Sequence, residues 1–123
     1  MKKYFRIQGR YTGKTGKPVG IFGLCHHVVY NKYYNYKATA EDRKKFENID
    51  KWFDDNLPNP PFYNDGNPDN CITWFKTEST NHMLEKIRPL MEILDKYHVP
   101  HDIVFTDYLE KIVYEDEYQV AVR

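Results

Sequence analysis

Residues 80–106 read TNHMLEKIRPLMEILDKYHVPHDIVFT. Met83, Leu84, Ile87, Leu90, Met91, Leu94 and Tyr97 recur at steps of three and four, the period of a helix with one buried face. Val99-Pro100 stops that period, and Ile103-Val104-Phe105-Thr106 follows as a β-branched, aromatic run that suits a strand. Pro89 falls inside the helical period and removes one backbone hydrogen bond, at a cost of about 3 kcal/mol unless the context compensates. A strong amphipathic helix handing over to a strand makes this a chain of mixed helix and strand.

Working outward, Lys111 to Tyr114 and Tyr118 to Val122 read as two more strands, closing the chain in a hairpin. Upstream, residues 71–77 (CITWFKT) read as a strand. Residues 40–56 read as a helix: Thr39 is the N-cap, Glu41 and Asp42 sit in the first turn, and Phe46, Ile49 and Phe53 form the buried stripe. Residues 4–11 alternate, with Phe5 and Ile7 among Arg6, Gln8 and Arg10. Residues 19–30 fit either state. Ile21, Leu24, Cys25 and Val28 make a helical face with Pro18 at the first position, whereas Gly20, Gly23 and the run Val28-Val29-Tyr30 favour a strand; helix is the reading taken.

The resulting order is β-α-α-β-α-β-β. It predicts a two-layer α+β sandwich: an antiparallel or mixed sheet of four to five strands with helices on one face. The 123 residues fit a single domain, 1–123. Hydrophobic residues at 41% and charged residues at 29% exclude a disordered tail. No repeat appears. Residues 57–70 (LPNPPFYNDGNPDN) hold four prolines and no period, a loop long enough to suggest a function of its own.

Net charge is zero but polarised. Residues 1–40 carry eight basic residues and no acid; residues 41–123 carry the other ten and all eighteen acids, so the two parts are +8 and −8. Such asymmetry points to charged partners, or to two parts that neutralise each other across one fold. The two cysteines are too few for a disulfide scaffold, and reduced thiols suit a cytoplasmic setting. The apolar stretch Val19 to Tyr30 is too short to span a bilayer, and no signal peptide is read at the N-terminus.

The motifs that carry chemistry are weak. Gly9-Arg10-Tyr11-Thr12-Gly13-Lys14-Thr15 has three residues where a phosphate-binding P-loop needs four, so a basic turn is expected. No zinc-ligand spacing links His26, His27, His98 and His101, so no metal or cofactor is expected. Cys25 beside His26 is read as core, not as a nucleophile. A Glu-x-Glu pair, Glu115 and Glu117, resembles the acidic motif of ADP-ribosyltransferases over three residues; a charged hairpin tip is the simpler reading. The segments NLPNPPFY, CITWFKTE and IVYEDEYQVAV resemble small uncharacterised bacterial or mobile-element proteins, a resemblance that implies no activity and transfers no roles.

Function is therefore expected from surfaces. The leading expectation is a non-enzymatic binding or inhibitory protein. It would act on a nucleic-acid-handling or host-defence protein by contact, in the manner of phage- or mobile-element-encoded inhibitors. Trp52, Asp54, Asp55, Phe62, Tyr63, Glu115, Asp116 and Glu117 are the contact candidates, since aromatics and pre-ordered proline loops favour interface cores. The first alternative is nucleic-acid or nucleotide binding through Arg10, Lys14, Lys17, Lys32, Tyr33, Tyr34 and Lys37, where aromatic and basic residues interleave. The second is a small enzyme using His26, His27 or the Glu115/Glu117 pair.

Overall fold

The computed structural model describes residues 2–30 and 37–123. The protein is an α+β domain built on an open, six-stranded antiparallel sheet. In chain order the elements are β1 (Tyr4–Thr12), β2 (Pro18–Gly20), α1 (Ile21–Val29), α2 (Ala40–Asn56), β3 (Ile72–Lys76), α3 (Thr77–Thr80), α4 (Leu84–Lys96), β4 (His101–Thr106), β5 (Ile112–Glu115) and β6 (Gln119–Val122). A 3₁₀ turn spans Pro61–Asp65, and another, Asn81–Met83, joins α3 to α4.

The elements form for local reasons. Thr39 caps α2, its hydroxyl accepting the Asp42 N–H at 3.1 Å. The α4 stripe buries Ile87, Leu90, Ile93 and Leu94, and Pro89 is held within the helix. Packing of that apolar face offsets the missing bond. Residues 18–30 divide differently from the expectation. Pro18 opens β2 instead of a helix, and α1 begins only at Ile21 with Gly20 as N-cap. The reason is the turn before it: the Gly13 N–H reaches the Lys17 carbonyl and Gly16 takes φ +74°, folding the chain back onto β1. The basic Gly-Lys-Thr-Gly-Lys segment is thus the tip of a hairpin.

β1 organises the sheet. One edge pairs along its length with β4, from Tyr4 opposite Thr106 to Gly9 opposite His101. The other edge is shared by two strands. Its start pairs with β3 (Phe5 opposite Phe75), and its end pairs with β2 (Gln8 opposite Gly20). β6 and β5 continue outward from β3. The sheet therefore forks at Arg6 and Ile7, between β3 and β2.

Phe5, Ile7 and Phe75 face the helices and join Leu24, Val28, Phe46, Phe53, Ile87, Leu90 and Leu94 in one core. Gly9 belongs to this packing, because a Cβ there would lie 2.6 Å from a methyl of buried Leu24. Thr73 shares the face of Phe75 by strand alternation, and Tyr63 of the proline-rich loop bonds to it. Helices and loop thus lie side by side over one face.

The start of α2 is tied to the end of α4. Buried Asp42 accepts Lys96 Nζ at 2.8 Å and the Tyr97 hydroxyl at 2.6 Å, and that hydroxyl accepts the Thr39 N–H. The Lys96 bond, then the Tyr97 bond, hold the Asp42 carboxyl below its ordinary value of 3.8. Asp42→Asn is expected to lower stability by about 1–2 kcal/mol in urea denaturation. A carboxylate with a depressed folded-state pKa contributes stability above its unfolded value and loses it as pH falls through the folded one. The gap between wild type and variant should accordingly narrow below about pH 4. A gap unchanged by acid would contradict this account.

Candidate functional site

The fork creates a problem for Arg6. Strand alternation puts it among polar neighbours, Gln8 and Arg10, where a solvent-facing side chain is expected, yet it is only 6% exposed. Its guanidinium lies in the gap between the two arms. Nε donates to the Thr73 carbonyl of β3 at 3.3 Å; Nη1 donates to the Pro18 carbonyl of β2 at 2.9 Å and to the Gln8 side chain at 2.7 Å. The cation ties together the two strands that the fork separates.

Three of its five N–H groups are thereby used. The Nη2 pair has no acceptor among the described residues, and no carboxylate there comes within ion-pair distance of Arg6. Burial draws this guanidinium down to about 10, with the Tyr63 phenol offsetting part of the effect. It stays charged at neutral pH. Asp42, by comparison, is buried with Lys96 beside it. Arg6 is a buried charge held by neutral groups alone, an expensive arrangement without a counter-charge.

Arg6 lines a cleft of about 500 Å³. One wall is the start of α1. Gly20 leaves room for the guanidinium, since a Cβ there would stand 3.1 Å from Nη2. As N-cap it also has no side chain to cover the first N–H groups of α1, and uncapped helix N-termini attract anions. The second wall is the last turns of α2, with Asp50, Phe53 and Asp54. The third is the proline-rich loop with Tyr63.

The cleft is braced. Tyr63 and Thr73 hydroxyls lie 2.7 Å apart, Gln119 Nε2 donates to the Pro58 carbonyl, and Lys17 Nζ donates to the Asn70 carbonyl at 2.6 Å, joining the hairpin tip to the loop. Asn67 closes the loop by bonding both the N–H and the carbonyl of Cys71. The loop that the sequence singles out at 57–70 is an ordered wall of this cleft.

The contact candidates fall into separate places. Asp54 and Tyr63 line the cleft. Phe62 packs on Tyr63 and on Tyr114, at 4.6 and 6.3 Å between ring centroids. Trp52 lies half-buried against Phe53, with Lys86 Nζ over its ring, and Asp55 pairs with Lys51. The acidic run is a hairpin tip. Asp116 accepts the Tyr118 and Gln119 N–H groups and the Tyr114 hydroxyl, Glu115 pairs with Lys76, and Glu117 is exposed.

Of the basic candidates, Lys14 lines the cleft and Lys17 braces it. Arg10 is held by Asp102 on β4, and Lys37 is exposed. Lys32, Tyr33 and Tyr34 lie outside the described residues. His27 lines the cleft with Nδ1 2.8 Å from the Tyr11 hydroxyl, and His26 packs against Tyr30 with the rings tilted. The Cys25 thiol is buried, donates to the Leu90 carbonyl and is pushed up to about 12, so it is inert as a nucleophile. Among the described residues no three His, Cys, Asp or Glu side chains converge as metal ligands, and no helix is long and apolar enough to cross a membrane.

Arg6 is absent from both candidate sets. Its only local signal is a cation flanked by two core residues, Phe5 and Ile7, and a surface strand shows the same signal.

Fold and cleft together define an α+β domain whose antiparallel sheet forks around a buried arginine. A search of protein-family models, of curated proteins and of solved structures found no match to this chain.

Proposed function

We propose that this protein binds a small organic anion in the forked-sheet cleft, with a carboxylate or phosphate group on Arg6. One observation carries the reading: Arg6, a residue only 6% exposed, keeps its Nη2 pair without an acceptor among the described residues, at the floor of an open cleft. Arginine suits this task because its fixed fork of donors matches planar oxyanions. The α1 N-terminus adds favourable dipole on the same side. Phe22, Phe53 and Leu57 supply apolar wall for the body of the ligand, the usual composition of a small-molecule site.

The test is a thermal-shift and calorimetric panel of phenylacetate, phenylpropionate and phenyl phosphate, each beside its uncharged amide, ester or alcohol. A ligand that binds only the folded state stabilises it by about 2.7 kcal/mol at a hundred times its Kd. The anions should raise Tm and their neutral counterparts should not. Equal shifts from both members of each pair would overturn the assignment to Arg6.

Contact with a protein partner is the second reading. It draws support from Tyr63, 40% exposed at the cleft beside Asp54. Asp54→Lys with Asp55→Lys should then weaken capture of a partner from nuclease-treated lysate, and unchanged capture counts against this surface.

A further inference from the structure

The cleft holds a second pole opposite in sign to Arg6. Asp50 and Asp54 stand one turn apart on α2 and both line it. Like charges at that spacing repel on a helix. Neither is in an ion pair among the described residues; Lys51, between them on the helix, pairs with Asp55 at 2.7 Å and attracts Asp54 as a more distant charge. Burial, then the Asp54 charge, holds the Asp50 carboxyl above its ordinary value, while His26 on the neighbouring helix α1 draws it down in part.

The cleft thus combines a buried cation, Arg6, and a carboxylate pair across apolar wall from Phe22, Phe53 and Leu57; exposed Lys14 and half-buried His27 also line it. A polyanion would satisfy Arg6 but meet repulsion from Asp50 and Asp54. A simple cation would meet the reverse. Charge complementarity selects a molecule with both poles.

We infer that the ligand is a zwitterion of the amino-carboxylate class, its carboxylate on the Nη2 edge of Arg6 and its ammonium group on Asp50 and Asp54. This rests on the anion-binding reading above and narrows it.

The experiment compares glycine, γ-aminobutyrate and ε-aminocaproate with acetate, butyrate and caproate. All are titrated into the whole protein by calorimetry at neutral pH and constant ionic strength. At least one amino acid should bind about tenfold more tightly than its matched fatty acid, with the best chain length reporting the span between the poles. Asp50→Asn with Asp54→Asn should abolish that preference, lowering amino-acid affinity while fatty-acid affinity rises as the carboxylate repulsion is removed. The double variant should melt no lower than wild type, because it relieves a like-charge pair.

If fatty acids bind as well as their amino counterparts, the zwitterion inference falls and the anion reading stands. If neither series binds, and the aromatic anions also fail, both fall.

Discussion

Arg6→Met is expected to reduce anion affinity in the cleft by about a hundredfold or more, the range measured when one partner of a buried, charge-assisted pair is truncated. Methionine fills a similar volume but offers no donor. Arg6→Lys should lose nearly as much. A single ammonium group cannot bond Thr73 and Pro18 on the two arms and also present a second pair of N–H groups to a ligand. Stability should change far less than affinity. Removing a buried, unpaired charge relieves a desolvation cost, and that relief offsets the three hydrogen bonds lost.

Gly20→Val provides an independent check that leaves Arg6 in place. Gly20 has φ −75° and ψ 169°, an extended conformation open to any residue. Its new side chain would crowd Nη2 from 3.1 Å and occupy the space before it. Binding should fall by far more than stability, which loses about 1 kcal/mol because valine is a poorer N-cap than glycine. Wild-type affinity in a folded Arg6→Met protein, read by calorimetry on phenylpropionate, would end the proposal.

Phe5→Ala is expected to lower stability by about 3–5 kcal/mol, the range for a large aromatic removed from a core that cannot collapse. Phe5 is 1% exposed and stacks on Phe75 at 5.3 Å between centroids, with Phe105 at 6.1 Å on the other side. It stands where β1 meets β3 and β4 at once, paired with Phe75 and Phe105. Truncation opens a cavity beneath three strands, at the root of the fork. Tm should drop by roughly 10–20 °C for a domain of this size, and urea titration should show a lower midpoint. A loss below about 1 kcal/mol would mean that neighbouring rings refill the space.

Much of the secondary structure is legible in consecutive residues. Thr39 with Glu41 and Asp42 announces the start of α2, and the three- and four-residue steps from Met83 to Leu94 announce α4. The alternation around Phe5 and Ile7 announces β1. Each signal acts within one or two turns, where side chains meet their own backbone and nearest neighbours. β2 and α3 are exceptions: Pro18–Gly20 is too short to carry a period and forms only because the turn at Gly13–Lys17 lays it on β1, and Thr77–Thr80 is a single turn.

The candidate site is far less legible. Arg6 bonds to groups 12 and 67 positions away, and the cleft it lines draws on the proline-rich loop, two helices and four strands. Asp54 is among the contact candidates read from the sequence, but its pairing with Asp50 beside Arg6 shows only once the loop and α1 close around the last turns of α2. The sequence by itself determined α2, α4, most of the strands and the α+β class, because those follow from short-range periodicity and capping. Only the tertiary structure decided that β1 would share an edge between two strands and bury a cation in the fork. That outcome depends on the summed pairing and packing of segments distant in the chain, which no local pattern encodes.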